Sequence, residues 1–378
     1  MKISLINRID EIPREDWNRI TGLEYPFIRY EFLYALEKSA CVDEETGWAP
    51  QHCLVYDKDE LIALMPMYRK THSHGEYVFD FEWAHAYQLH GLSYYPKWLT
   101  AIPFTPCEGE RLFVKAGIDK GSVLKSILSF ITASAESENI STWHCLYPTS
   151  AEIELLKSMN LAIREGVQFR WTNKGYRDFK DYLDSFNSKK RKTLLRERRF
   201  ISDQGISLKQ IHGKDITEEQ LNIFYQFYQL TYLKWGNPPY LNLAFFKEIA
   251  ETMPEQLLLI LAVKENKYVG AAFSLVGGDS FYGRYWGCYE EYHSLHFEAC
   301  YYQGLEYCIN NNLKRFDSGA QGEHKIARGF EPVTTYSAHW ICDPEFAAAI
   351  KGFTKREASL MERYRTNAAE LLPFKNNK

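Results

Sequence analysis

Residues 257–288 read LLLILAVKENKYVGAAFSLVGGDSFYGRYWGC, and this stretch decides the class of fold. Three apolar and aromatic runs, Leu257 to Val263, Tyr268 to Val276 and Ser280 to Cys288, are joined by Lys264-Glu265-Asn266-Lys267 and Gly277-Gly278-Asp279. Links this short allow only antiparallel neighbours, because a parallel pair needs a crossover of roughly a dozen residues. Downstream, Leu295, Ala299, Tyr302, Leu305 and Ile309 keep helical spacing within Ser294 to Asn312. A short strand around Phe316, a strand at Thr334 to Ile341 and a closing helix from Pro344 to Leu372 follow. Upstream lie a charged helical region from Asp178 to Ser202, a strand at Ile206 to Ile211, and helices at Glu218 to Trp235 and Leu243 to Thr252.

The first half repeats this plan. Gln51 to Tyr56 and Leu61 to Tyr68 read as strands joined at Asp57-Lys58-Asp59-Glu60, with a further strand expected at Tyr77 to Phe81. Gly121 to Ser137 is a helix by the spacing of Val123, Leu124, Ile127, Leu128 and Ile131, and strands follow at Thr142 to Leu146 and Ile163 to Trp171. The expected fold is mixed α/β (α+β): two tandem lobes, each a mostly antiparallel sheet flanked by helices. The pattern places them at 1–172 and 173–343, with a closing helix over 344–378.

The 378 residues are 45% apolar and 25% charged, an ordinary globular balance, but aromatics reach 15%. Such side chains fill cores and also line grooves for flexible substrates. Trp83 to Trp98, which holds His85, Tyr87, His90, Tyr94 and Tyr95, is the segment expected to line such a groove between the lobes. None of the eight cysteines forms a C-x-x-C pair, no apolar run is long enough to span a bilayer, and the N-terminus lacks a signal-peptide core. The expectations are a cytoplasmic protein with free thiols and no metal.

The candidate site is Phe316 to Val333. Gly319 and Gly322 permit a sharp turn or a close ligand approach, with Ala320 and Gln321 between them. Glu323, His324, Lys325 and Arg328 follow at once, so acid, base and cations stand at a strand end and a helix start. A solvated surface turn is the competing reading. A second feature is the run Phe186 to Arg199, with seven cations, among them Lys189, Lys190 and Arg191, against one acid, Glu197. It suits a polyanion such as coenzyme A phosphates, a tRNA acceptor stem or an acidic lipid surface, and equally a helix face paired with acids elsewhere. Gly283 and Gly287 weaken a strand unless backbone or ligand comes close. Glu298 is a candidate general base or a plain surface charge. No Walker-type loop, H-E-x-x-H or G-x-S-x-G pattern occurs, which leaves nucleotide hydrolysis, zinc proteolysis and serine hydrolysis without support.

The run Phe316 to Val333, together with Gly283 to Gly287, Leu295 to Tyr302, Trp83 to Lys97, Pro103 to Pro106 and Ser188 to Lys192, resembles the FemAB-like N-acyltransferases of the GNAT (acyl-CoA N-acyltransferase) superfamily. The resemblance implies two GNAT-like lobes and an N-acyltransferase. It would move an acyl or aminoacyl group from acyl-CoA or aminoacyl-tRNA, as co-substrate rather than tightly bound cofactor, to an amine acceptor such as a cell-envelope precursor. The Q/R-x-x-G-x-G/A loop that grips coenzyme A in typical GNAT enzymes is absent. Under this reading Glu323 or His324 is the base, with Glu298 third. Tyr285 or the amides around Gly319 and Gly322 would face the oxyanion. Gln321 belongs to the same donor-binding turn. Lys325 and Arg328 are the near phosphate contacts, and Lys189, Lys190 and Arg191 the distant ones. Possible tRNA binding and peripheral membrane contact are the partner expectations, DNA is not, and oligomeric state is open. The alternative is a non-catalytic GNAT-like module that binds RNA or acidic lipid.

Overall fold

A computed structural model describes residues 1–234, 236–320 and 322–375. The chain divides into two units. Unit 1 comprises 1–167 and 334–364, and unit 2 comprises 168–333 and 365–378. The division is discontinuous, unlike the linear boundaries at 172 and 343, because strand pairing brings a late segment back to unit 1. Local pattern carries no information about such long-range pairing.

In unit 1, β1 (Lys2–Ile6), β3 (His52–Asp57), β4 (Glu60–Met65) and β7 (Phe113–Val114) form an antiparallel sheet in the order β1-β3-β4-β7. The expected hairpin is β3 and β4, paired from Cys53 with Met65 to Asp57 with Glu60. A second set contains β2 (Trp48–Pro50), β5 (Tyr68–Lys70), β6 (Lys97–Thr100) and β8 (Thr142–Leu146), in the order β8-β6-β5-β2. Here β6 and β8 run parallel. The helices are α1 (Arg14–Thr21), α2 (Tyr30–Lys38), α3 (Phe81–Leu89), α4 (Lys120–Ser134) and α5 (Ser150–Ser158). In α4, Val123, Leu124, Ile127 and Ile131 pack on Val55, Trp98 and Trp143, as their spacing predicts.

No strand forms at Tyr77 to Phe81; α3 starts there instead. The expected aromatic groove also takes another form. Trp83, Tyr87 and Tyr94 are buried in one core cluster and Trp98 in another, so these rings hold unit 1 together and do not face a ligand.

The chain enters unit 2 along β9 (Ala162–Thr172). It continues through α6 (Phe179–Asp184), α7 (Ser188–Asp203), β10 (Ile206–His212), α8 (Glu218–Lys234), α9 (Leu243–Thr252), β11 (Leu257–Lys264), β12 (Lys267–Gly277) and β13 (Ser280–Cys288). Next come α10 (Leu295–Phe297), a π-helical turn at Glu298–Tyr302, α11 (Gln303–Asn310), β14 (Arg315–Asp317) and a 3₁₀ segment at Glu323–Arg328. Then β15 (Glu331–Ile341) returns to unit 1, where Ser337–Ile341 pairs with β8, and α12 (Pro344–Glu370) follows. The sheet of unit 2 runs β10-β11-β12-β13-β14-β9, antiparallel except for the β13–β14 pair. The mixed α/β class read from residues 257–288 therefore stands.

Gly287 explains one strand glycine. A Cβ there would lie 2.0 Å from the carbonyl oxygen of Phe227, so α8 crosses β13 at a distance only glycine allows. Replacing Gly287 by Ala is expected to destabilise the protein by about 1–3 kcal/mol through overpacking. The helical control Gly352→Ala has room and is expected to be neutral or stabilising. Denaturant unfolding of both variants checks the contrast.

Candidate active site

Strands β13 and β14 pair in parallel over three residues, Ser280 with Arg315 to Tyr282 with Asp317, and then part. β14 ends in the glycine turn while β13 continues from Gly283. At the same level the β12–β13 register shifts: Phe273 faces Tyr285 and Ser274 faces Gly283, which leaves Arg284 as the inserted residue. A bulge of this kind re-aims side chains. The parted strands enclose a pocket of about 100 Å³ whose polar lining includes Ser274, Arg284, Tyr285, His296, Tyr301 and Ser318. Ser318 Oγ is buried there without a hydrogen-bond partner, so the pocket holds an unused polar group.

The π-helical turn contributes the next group. Tyr301 lies in this turn, its ring buried in the core with Leu305 and Cys308 and its hydroxyl 2.8 Å from His324 Nε2. Such turns inside helices concentrate at functional sites. Burial pushes the Tyr301 phenol up, so it stays protonated and donates to Nε2 in the tautomer of His324 that carries its proton on Nδ1. Burial and the neighbouring Arg328 and Lys325 charges lower the His324 pKa. His296, on the same side, is pushed down to about 4 by burial and by His324, Arg328 and Lys325. Both imidazoles are therefore neutral at pH 7, and a neutral imidazole can take a proton.

The glycine turn is built from within. Gly319 (φ +81°) and Gly322 (φ +119°) adopt angles that favour glycine. The ammonium of Lys325 donates to the carbonyl oxygens of Ser318, Gly319 and Ala320 at 3.1, 2.9 and 3.2 Å. The Gly319 amide donates to Asp317 Oδ1 at 2.9 Å. Arg328 donates to the His324 carbonyl at 2.7 Å and to Glu197 Oε2 at 2.8 Å, with its guanidinium 3.4 Å above the Phe297 ring.

These contacts correct several expectations. Lys325 and Arg328 are buried and engaged inside the protein, so they support the turn and are not phosphate contacts. The Gly319 amide is engaged and is no oxyanion donor. Glu298 is 3% exposed and accepts from Arg198 Nη2 at 2.9 Å and Gln303 Nε2 at 2.8 Å, which makes it an ion-pair partner rather than a free base. Arg191 pairs with Asp184 at 3.0 Å. Lys189 is exposed and Lys190 half-buried on α7. Glu323 is exposed, and Tyr285 lines the pocket among Tyr228, Phe246 and Phe273. Gln321 lies outside the described residues. Tyr301, Ser318 and Arg284 have no role in the sequence reading, and Glu197 enters it only as the one acid of a basic run. Among the described residues no three His, Cys, Asp or Glu side chains are grouped to hold a metal, and no helix is long and apolar enough to cross a membrane.

A family model described as peptidoglycan biosynthesis/recognition, FemAB-like, matches residues 8–376. The chain belongs to the FemAB-like family. The crystal structure of FemX is similar over 93% of this chain and 100% of its own, with 13% identity and a TM-score of 0.53. The C-terminal domain of a protein assigned as a lysylphosphatidylglycerol synthetase from Agrobacterium fabrum covers 92% of this chain and 96% of its own, at 9% identity and a TM-score of 0.54. L-PGS from Bacillus licheniformis covers 88% and 96%, at 9% identity and a TM-score of 0.50. At such identities the likeness is one of fold. No curated protein sequence matches the chain.

Lys325→Met would leave three carbonyls without their donor. The expected loss is about 2–3 kcal/mol of stability, because unsatisfied buried acceptors are costly. Denaturant unfolding measures it, and unchanged stability would return Lys325 to the role of a free surface cation.

Proposed function

We propose that this FemAB-like protein is an N-acyltransferase whose reaction takes place at the parted ends of β13 and β14. The observation that carries the reading is the Tyr301–His324 pair at the edge of a small polar pocket. An amine nitrogen attacks the carbonyl carbon of an activated donor, a thioester or an ester, and the new C–N bond gives a tetrahedral oxyanion. The amine gives up its proton through the Tyr301 hydroxyl to His324 Nε2. Collapse breaks the carbonyl bond to sulfur or oxygen, and the leaving group takes that proton. Arg284 and the Ser318 hydroxyl are the groups placed to face the oxyanion. A space of about 100 Å³ suits a small acyl or aminoacyl group. The family description supports an acceptor from the cell envelope.

Acyl-CoA and aminoacyl-tRNA both fit as donors, since each presents phosphates to a basic surface. On α7, Lys189, Lys192, Arg196 and Arg199 are exposed and follow one another at helical spacing, on one side of the helix. That stripe, rather than Lys325 or Arg328, is the candidate phosphate contact. It is also the observation that favours the second reading, a module that binds a polyanion without turnover.

Incubating the protein with acetyl-CoA or with charged tRNA and an amine acceptor, and following acyl transfer by mass spectrometry, separates the readings. His324→Ala is expected to lower kcat by about 10²–10⁴-fold, the usual contribution of a general base. Tyr301→Phe should lower it less. Because the His324 pKa is depressed, the acid limb of kcat/KM should lie below pH 6.5 and be absent in His324→Ala. Binding with steep salt dependence and no product from either donor would favour the second reading.

A further inference from the structure

Unit 1 contains a second set of buried ionisable groups that the proposed reaction does not use. Lys97 on β6, fully buried, donates to Ser73 Oγ at 2.7 Å, Glu76 Oε2 at 2.8 Å and Asp80 Oδ2 at 2.5 Å. Asp80 stands immediately before α3. The Tyr94 hydroxyl donates to the same Asp80 oxygen at 2.6 Å and lies 3.0 Å from His144 Nε2 on β8. His144 Nδ1 meets His339 Nδ1 on β15 at 2.5 Å, and His339 Nε2 meets Ser337 Oγ at 2.8 Å.

These contacts fix the protons. Tyr94 has one proton and gives it to the carboxylate, so its oxygen can only accept from His144, which must carry its proton on Nε2. Thr142 Oγ1, 2.9 Å from the same nitrogen, shares that proton. The Nδ1 of His144 is then bare, so His339 must carry a proton on Nδ1 and accept from Ser337 through Nε2. Donation runs one way, from Ser337 through His339, His144 and Tyr94 to Asp80. The two imidazoles are opposite neutral tautomers.

We propose that this relay is an acid-labile latch that holds α3 against the sheet of unit 1. A proton added to His144 goes on Nδ1 and meets the Nδ1–H of His339 at the 2.5 Å contact. One added to His339 goes on Nε2 and meets the proton that Ser337 donates. Either turns a donor–acceptor link into a donor–donor one within the relay. α3 depends on it, since Trp83 packs edge-on to His339 with ring centres 4.8 Å apart and Tyr87 to Tyr94 at 5.2 Å. The other charges facing the pair are Arg164 on β9, itself held by Glu357 on α12, and Glu76 and Lys70 beside Lys97.

The sign follows from these neighbours. Burial and Lys97 push His144 down to about 3, and burial and His144 hold His339 far below its ordinary value. The closed state therefore refuses protons that the open state accepts below about pH 6.5, and each histidine favours opening by about tenfold per pH unit as pH falls. Glu76, raised to about 7 by burial, acts in the opposite sense over the same range and offsets one of the two. Burial opposes the charge on Asp80, yet Lys97 and His144 hold its carboxyl below the ordinary range, so it adds to acid opening only at lower pH. The net expectation from pH 6.5 to 4.5 is about a hundredfold.

Two measurements on the full chain test the latch. Long-range ¹H–¹⁵N spectra at pH 7.5, assigned with single histidine variants, should give the Nε2–H tautomer for His144 and the Nδ1–H tautomer for His339. The same tautomer at both, or an imidazolium at either, overturns the proposal. Hydrogen exchange, corrected for intrinsic rate, should show α3 losing about a hundredfold protection between pH 6.5 and 4.5 while α4 keeps its own. In Tyr94→Phe, α3 should already be less protected at pH 6.5. Equal loss in α3 and α4, or none in α3, also overturns it.

Discussion

The candidate site in unit 2 depends on one cation that is turned inward. The Lys325 ammonium, 2% exposed, gathers the carbonyls of Ser318, Gly319 and Ala320 and so closes the turn after β14. Because those carbonyls point at Lys325, the turn keeps the strand ends apart and leaves the Ser318 hydroxyl at the pocket. Arg328 does the same for the following segment by tying it to Glu197 on α7. An ammonium surrounded by carbonyl dipoles tolerates burial because its three donors are satisfied.

A second constraint sets what faces the pocket. The register shift at Phe273–Ser274 and the π-helical turn at Glu298–Tyr302 each add one residue to a regular element. One places Arg284, the other Tyr301. Regular strands and helices would have turned both side chains elsewhere, since a one-residue slip moves a strand residue to the opposite face and rotates a helical one by about 100°. The chemistry proposed for this protein rests on two irregularities, each on a rigid scaffold.

How much of this could be read in the sequence follows from the range of the interactions. Strands β11 to β13 and helices α4 and α9 were legible because alternation and helical spacing are local. The glycine turn was legible as a turn too, since two glycines before four ionisable residues are contiguous. The roles were not. Whether Lys325 and Arg328 face water or carbonyls depends on burial. Glu298 looks like a free carboxylate until Arg198, 100 positions away, reaches it. Trp83, Tyr87 and Tyr94 could line a groove or a core equally well from composition alone. The relay through His144 and His339, 195 positions apart, has no local signature.

The discontinuous division of the chain has a consequence for synthesis. A ribosome releases residues 1–167 of unit 1 first, then the whole of 168–333, and only afterwards β15 and the first part of α12. Until Ser337–Ile341 emerges, β8 has a bare edge, and the cluster around Trp83 lacks Ile341 and Ile350. An unpaired strand edge beside uncovered aromatic rings invites pairing with other chains. Unit 2 in turn waits for residues 365–378, which bring Ala368 to its core. The unit that is begun first is thus completed only after most of the other has been made, and neither is complete until the last part of α12 has emerged.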